Sequence, residues 1–259
     1  MEKMKFIYLI LSIAISFSIY AKTKKIVTLA PNLTEIMYYL NYENNIIAVD
    51  KFSKKPKNAI IIGDLMTINY EKLISLSPDI IFLTKEQENI KKNIKNIKNI
   101  KVHIVDIKRL KDINPEISKI KKLLNIKKKE IPFGMLISIS QTIENQKTVL
   151  IIIDRSKKSL SNIFVVGSDN FMNDYLSILN LKNIIKNKNY PKINIENIIN
   201  LNPDIIIDLT YRADINIWNN YPQINAVKNK KIYKGSIKLT IPSPYIIDEI
   251  IKLKKKLWN

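Results

Sequence analysis

The chain has 259 residues, and 43 Lys and Arg against 23 Asp and Glu give it a formal net charge of +20. It has no cysteine and one histidine, which excludes disulfides, thiol nucleophiles and zinc sites built from several histidines. Four glycines supply neither a dinucleotide-binding fingerprint nor a phosphate-binding loop. No Ser/His/Asp or paired-carboxylate spacing is visible, so nothing in the sequence predicts an enzyme.

Residues 1–21 have the pattern of a cleaved secretory signal. Lys3 and Lys5 precede an apolar run at 6–15, and the small residue Ala21 precedes a polar segment. The apolar run is short for a membrane span, and an uncleaved N-terminal anchor is the alternative. Removing two Lys and one Glu with this segment changes the net charge from +20 to +19. With no cysteine to acylate, we expect a soluble periplasmic protein without a lipid anchor.

The positive charge is spread along the chain. The lysines lie among Ile and Asn residues, and arginine occurs only at Arg109, Arg155 and Arg212. Nucleic-acid-binding proteins concentrate basic residues on one face. The dispersed pattern predicts a solvated surface instead, and we expect no nucleic-acid partner.

Short apolar runs alternate with helical patterns along the chain, which is typical of an α/β fold. Predicted strands in the first half cover 24–30, 46–49, 60–62, 80–83 and 101–105, with predicted helices at 31–40, 69–77 and 90–97. From about 112 to 145 only helical periodicity is visible. In the second half, predicted strands cover 149–153, 163–166, 205–207 and 231–233, with helices at 170–179, after Asn194, near Trp218 and after Pro244. Gly167-Ser-Asp169 marks a strand-to-helix turn.

One segment occurs twice. Residues 69–81 (NYEKLISLSPDII) and 194–206 (NIENIINLNPDII) are identical at eight of thirteen positions. In each copy an Asn and a Glu favour a helix start, a Pro ends the helix, and a β-branched run predicts a buried strand. A supersecondary unit that occurs twice predicts two lobes.

We therefore predict an α/β fold with two three-layer lobes, largely parallel sheets and a ligand cleft between the lobes. The predicted divisions are a signal peptide at 1–21, an N-terminal lobe at 22–108, a long helical connection at 109–146 and a C-terminal lobe at 147–259.

Five blocks of the sequence resemble, in the same order, those of the periplasmic substrate-binding proteins of ABC importers for cobalamin, haem and iron-siderophores. The blocks are KIVTLAPNLTEIMYYL at 25–40, GDLMTINYEKLISLSPDIIFL at 63–83, INIENIINLNPDIII at 193–207, WNNYPQINAVKNKKIY at 218–233 and IPSPYIIDEI at 241–250. The resemblance implies two lobes bridged by a long helix and a cleft that moves little on binding. It also implies a permease dimer of transmembrane subunits as partner, and no enzymatic activity.

The resemblance indicates a set of cleft residues. Phe52, Leu65, Thr84 and Tyr190 align with positions where cobalamin-binding relatives place cleft residues, which are often aromatic. Phe52 and Tyr190 keep that pattern, whereas Leu65 and Thr84 depart from it. For each of the two aromatic residues the alternative is packing within its own lobe.

Two further residues complete the predicted site. A planar chelate has apolar faces that rings can cover and a rim that needs donors, which suggests Tyr211 and Arg212. For Arg212 the alternative is a surface salt bridge. The implied ligand is a metal chelate, with cobalamin or another corrinoid first and haem or a ferric siderophore second. No cofactor is expected, and no metal is expected to bind the protein directly.

Glu71 and Glu196 hold equivalent positions in the two copies of the repeat. In the resembling family, an acidic residue at the outer tip of each lobe pairs with arginines of the permease, which implies docking for these glutamates. The alternative is stabilisation of the helix by a carboxylate in its first turn, at roughly 0.3–1 kcal/mol.

Two other functions of the protein stay open: an exported structural or adhesive protein, and an α/β enzyme.

Overall fold

The computed structural model describes residues 24–64, 67–95, 97, 99–127 and 146–258. The predicted signal peptide, Leu65 and residues 128–145 of the predicted helical connection lie outside the described residues. The described residues form two sheets with helices packed on them, which confirms the predicted α/β fold.

The N-terminal sheet has five parallel strands in the order β3-β2-β1-β4-β5. The strands are β1 (Ile26–Thr28), β2 (Ile46–Val49), β3 (Ile60–Ile61), β4 (Ile80–Thr84) and β5 (Lys101–Val105). The helices of this half are α1 (Pro31–Tyr39), α2 (Tyr70–Ser75), α3 (Glu88–Ile94) and α4 (Ile113–Leu124). The central strands β1 and β4 are covered on both faces, which is why their sequences are continuously apolar.

The C-terminal sheet has the order β11-β10-β6-β7-β9, with β8 also paired to β6. The strands are β6 (Lys147–Asp154), β7 (Ile163–Val165), β8 (Leu181–Asn183), β9 (Lys192–Ile193), β10 (Ile205–Asp208) and β11 (Ile232–Lys234). The helices are α5 (Met172–Ile178), α6 (Ile195–Leu201), α7 (Asn225–Lys228) and α8 (Ile246–Trp258). β7 runs antiparallel to β6 and β9. The reason is that residues 155–162 are too few for the crossover that a parallel neighbour requires.

The repeated sequence corresponds to α2–β4 in one lobe and α6–β10 in the other. The side chains of Asn69 and Asn194 each accept the backbone N–H three residues later, at 2.8 Å in both helices. Asp79 and Asp204 each accept a backbone N–H near the start of the adjacent strand, at 2.8 Å and 2.9 Å. The identical residues therefore cap the helix and attach the following strand to its neighbour in both lobes.

The two sheets share one core. The outer face of the N-terminal sheet packs against α2 and α3, and the outer face of the C-terminal sheet packs against α6 and Trp218. The inner faces of both sheets belong to a single continuous cluster that also includes α1, α4, α5 and α8. Phe82, Ile117, Tyr175 and Ile207 are fully buried members of this cluster. The two lobes are therefore joined through a common apolar layer.

Candidate functional site

A cavity of about 610 Å³ lies between the two lobes. Its N-terminal wall follows the ends of β1, β4 and β5, because the carboxyl ends of parallel strands meet at one edge of a sheet. The N-terminal wall consists of Ala30, Pro31, Asn32, Thr84, Glu86, Gln87, Val105, Ile107 and Lys108. The C-terminal wall consists of Asp169, Asn170, Phe171, Asn189, Tyr190, Thr240 and Pro242.

Gln87 holds the N-terminal wall in place. Its buried side chain donates from Nε2 to the carbonyl oxygen of Leu29 at 2.8 Å. Its Oε1 accepts the backbone N–H of Thr84 at 3.1 Å. These two bonds join the end of β1 to the end of β4 and hold the backbone next to Glu86 in place. The Glu86 side chain itself is exposed.

The C-terminal wall is built by a loop that packs on Gly167. The N–H of Gly167 donates to the carbonyl oxygen of Asn189 at 2.8 Å, and a Cβ on Gly167 would lie 2.4 Å from that oxygen. Asp169 Oδ1 accepts the N–H of Asn189 at 2.7 Å, and Asn170 Nδ2 donates to the Tyr190 hydroxyl at 2.5 Å. The tyrosine ring is thus oriented by the protein itself.

Two carboxylates act on the Tyr190 hydroxyl. Burial raises the pKa of this phenol above its ordinary value, and the hydrogen bond from Asn170 opposes that rise. Glu86 and Asp169 raise the same pKa further by their negative charge. Because they stand on opposite walls, the phenol lies in the combined field of both lobes and stays protonated at neutral pH.

Two contacts join the lobes on either side of the cavity. Arg109 donates from Nε to Asp174 Oδ1 at 2.7 Å, and Asp174 Oδ2 accepts the backbone N–H of Leu110 at 2.8 Å. On the other side, the Ser243 hydroxyl donates to Glu35 Oε2. Burial raises the pKa of Glu35 above its ordinary value of 4.5, partly opposed by this hydrogen bond. Each contact adjoins segments that line both walls.

The predicted site residues fall into separate groups. Thr84 and Tyr190 line the cavity, one on each wall. Phe52 is 60% exposed and is not among the lining residues, and Lys51 Nζ lies 5.0 Å from its ring centroid. Leu65 lies outside the described residues.

Tyr211 and Arg212 also lie outside the cavity lining. Tyr211 is 62% exposed, and the Arg212 guanidinium carbon lies 5.0 Å from its ring centroid. Tyr190 precedes β9 whereas Tyr211 follows β10, and the sheet pairing makes these two strands run in the same direction. The two tyrosines therefore lie toward opposite ends of their strands.

The three arginines have three different environments. Arg109 joins the lobes, and Arg212 is exposed. Arg155 is fully buried beside Asp208, with its Nε 2.7 Å from Asp208 Oδ2, and its remaining nitrogens donate to backbone carbonyls. Among the cavity-lining residues there is no arginine, and Lys108 is the only basic side chain.

Sequence reasoning missed most of the polar lining. Glu86, Gln87 and Lys108 follow predicted strands by a few residues, so the rule that ligands bind at strand ends could have found them. Asp169 lies in the strand-to-helix turn at 167–169, and Asn170 follows it. Nothing local in the sequence indicates that these two sets of residues face one another.

Glu71 and Glu196 lie in the first turns of α2 and α6, and both side chains are exposed. Neither forms an ion pair with any residue that the structure describes. Their role in docking stays a prediction.

Two features are absent from the described residues. No group of three or more His, Cys, Asp or Glu side chains there could hold a metal ion. No helix in the described part of the chain is long and apolar enough to cross a membrane.

Several known proteins are similar to this chain along most of its length. The "uncharacterized ABC transporter substrate-binding lipoprotein YvrC" of Bacillus subtilis (strain 168) is 26% identical over 261 residues, covering 91% of this chain and 80% of the relative. The vitamin B12-binding protein of Vibrio parahaemolyticus is 22% identical, covering 89% of this chain and 88% of the relative. The structure of the periplasmic haem-binding protein HutB of Vibrio cholerae superposes with a TM-score of 0.75 at 17% identity, covering 92% of this chain and all of that one. No family model matches the chain.

Two sheets that share a core, with a cavity between the lobes, define the class of two-lobe binding proteins. The similarity to relatives along nine-tenths of the chain makes the assignment more specific. The chain's relatives and structural neighbours are ABC-transporter substrate-binding proteins of the group that includes B12, haem and iron-siderophore binders.

Proposed function

We propose that the protein captures a metal chelate in the cavity between its lobes and delivers it to the permease of an ABC importer. Cobalamin or another corrinoid is the first candidate, and haem or a ferric siderophore is the second. The cavity is the observation that carries the proposal, since its volume of about 610 Å³ falls within the range of known ligand sites.

The chemistry of the walls supports a ligand with apolar faces and a polar rim. Phe171 and the Tyr190 ring offer aromatic surface, while Asn32, Asn170 and Asn189 offer amide groups that both donate and accept hydrogen bonds. Amide-rich walls match the amide rim of a corrinoid. The B12-binding name of one relative agrees with this order of candidates.

Phe52, Leu65, Tyr211 and Arg212 remain predicted contacts of this function. Phe52 and Tyr211 each follow the carboxyl end of a sheet strand, β2 and β10. We propose that Phe52 contacts a part of a large chelate that extends beyond the cavity, and that Tyr211, toward the opposite strand end from Tyr190, contacts at most the periphery of that chelate.

Export and docking are further parts of the proposal. We propose that the protein acts in the periplasm without a lipid anchor, because the sequence has no cysteine to carry one. The relative from Bacillus subtilis carries the word lipoprotein in its name, so the two proteins would differ in this respect. Glu71 and Glu196 would pair with basic residues on the two transmembrane subunits, one from each lobe.

Calorimetry against cyanocobalamin, cobinamide, haemin and common ferric siderophores tests the function. We expect equimolar binding of one of these chelates without chemical turnover. Tyr190→Ala should weaken that binding by roughly tenfold or more, as expected for a central aromatic contact. Phe52→Ala and Tyr211→Ala, both exposed and outside the cavity lining, should have smaller effects. Failure of every chelate to bind, or conversion of a bound chelate to a product, would refute the proposal.

A further inference from the structure

The charge of the cavity differs in sign from that of the chain. The chain carries 43 Lys and Arg against 23 Asp and Glu, yet the ionised lining residues are Glu86, Asp169 and Lys108. The charge of Lys108 is partly offset, because its Nζ lies 3.6 Å from Asp106 Oδ2. Neither Glu86 nor Asp169 forms an ion pair with a described residue.

The positions of these two carboxylates are set by the protein. Glu86 lies between Thr84 and Gln87, whose mutual hydrogen bond holds the end of β4. Asp169 accepts the N–H of Asn189 through one oxygen, which anchors it beside the Tyr190 loop. Glu86 belongs to the N-terminal wall and Asp169 to the C-terminal wall, so a ligand in the cavity is flanked by negative charge from both lobes.

A carboxylate on the ligand would find no arginine among the lining residues to accept it. It would instead be repelled by the carboxylates of both walls, because like charges repel one another more strongly where water is partly excluded. A cationic group, or a rim of amide N–H groups, would be attracted or would donate hydrogen bonds to the same two carboxylates.

We infer that Glu86 and Asp169 select the ligand by charge, so that the cleft takes a cationic or neutral amide-rimmed chelate and rejects one that presents carboxylates. The inference rests on the proposed function and narrows it. It favours corrinoids over haem, whose two propionates are anionic, and over catecholate siderophores.

A series of corrinoids that differ in charge on one scaffold tests this inference. The probes are aquacobalamin, which is a monocation at mildly acidic pH, neutral cyanocobalamin, and the cyanocobalamin monocarboxylate in which one side-chain amide has been hydrolysed. Haemin is the dianionic comparison. At low salt we expect affinity to fall by roughly three- to tenfold with each step toward negative charge, and the steps to shrink at high salt.

The variant that removes the selection is Glu86→Gln with Asp169→Asn. In it we expect the three corrinoids to bind within about twofold of one another, since the charged lining side chain that remains is Lys108, which is exposed and partly offset by Asp106. The matched control is Asp154→Asn with Asp248→Asn, which removes two negative charges from exposed positions outside the cavity lining. The control should keep the wild-type order.

Equal binding of the neutral and monocarboxylate corrinoids would overturn the inference and leave the proposed function standing. The same holds if the cavity variant keeps the wild-type ratios, or if haemin binds more tightly than every corrinoid. Failure of all four probes to bind would instead refute the proposed function, and the inference with it.

Discussion

The contact between Arg109 and Asp174 joins the lobes beside the cavity, and its contribution to the free energy of unfolding has two parts. Arg109 is 55% exposed and Asp174 is 14% exposed. Because the guanidinium is mostly in water, the ion pair contributes only roughly 0.5–1 kcal/mol. The second part is the bond from the partly buried Leu110 N–H to Asp174 Oδ2, whose loss leaves a donor unsatisfied at a cost of about 1–2 kcal/mol.

Asp174→Ala removes both parts and should lower the free energy of unfolding by about 2 kcal/mol, whereas Arg109→Ala should cost about 0.5–1 kcal/mol. For a protein of this size, 2 kcal/mol corresponds to a fall in Tm of roughly 4–8 °C. Thermal and urea unfolding of both single variants and of the double variant would give the changes in Tm and in the free energy of unfolding, and the coupling energy between the two residues.

The exposed Lys85–Glu88 pair, whose Nζ and Oε2 are 2.9 Å apart, provides the control cycle. Because both side chains are screened by water, removing either member should have little effect on stability, and the two single losses should be similar. Equal losses for Asp174→Ala and Arg109→Ala would refute the reasoning, because the backbone bond would then contribute nothing.

Three further changes test the docking residues, a buried carboxylate and the C-terminal wall. Glu71→Ala with Glu196→Ala should leave ligand affinity unchanged and abolish uptake of the ligand by cells; uptake at the wild-type rate would contradict docking. Burial raises the folded-state pKa of Glu35 above 4.5, so the folded state holds the proton more tightly and stability falls as pH rises from 4.5 through the raised value. In urea titrations at successive pH values, Glu35→Gln should abolish that fall in the free energy of unfolding. If the variant keeps the wild-type dependence of stability on pH, Glu35 is not the group responsible. Gly167→Ala should lower the free energy of unfolding by about 1–3 kcal/mol and weaken ligand binding, since its Cβ would lie 2.4 Å from the Asn189 carbonyl oxygen. A variant with the wild-type Tm and the wild-type affinity would show that this close contact does not shape the wall.

The parts of the fold that depend on local chemistry are predictable from the sequence. Asn69 and Asn194 cap their helices as predicted, because the capping bond spans only three residues. The apolar runs of β4 and β10 are buried as predicted. The sequence also predicts two lobes, since the unit of helix and strand occurs twice and each of the two strands must pair within a sheet.

The parts that depend on contacts between distant segments are not predictable in this way. The antiparallel direction of β7 is a different case, because β7 directly follows β6 in the chain. The gap between the predicted strands at 149–153 and 163–166 is too short for the crossover that would make neighbouring strands parallel. Glu86 and Asp169 are 83 positions apart, and only the packing of one lobe on the other makes them line one cavity. The same holds for the bond between Glu35 and Ser243.

The continuous core explains how the cavity can exist before a ligand arrives. Ile113, Ile117 and Ile120 of α4 are fully buried in the same cluster as Tyr175 and Ile250, which belong to the C-terminal half. A hinge motion that separated the sheets across this layer would expose such side chains at about 1.5–3 kcal/mol each, or roughly 6–12 kcal/mol for four of them. Since each step of about 1.4 kcal/mol is a tenfold change in an equilibrium constant, an open state of this kind would be populated less than about once in ten thousand molecules, and the closed arrangement is the resting state without a ligand. The affinity of the cleft must therefore come from walls that are already in place, and its selectivity must come from the polar side chains that those walls hold in fixed positions.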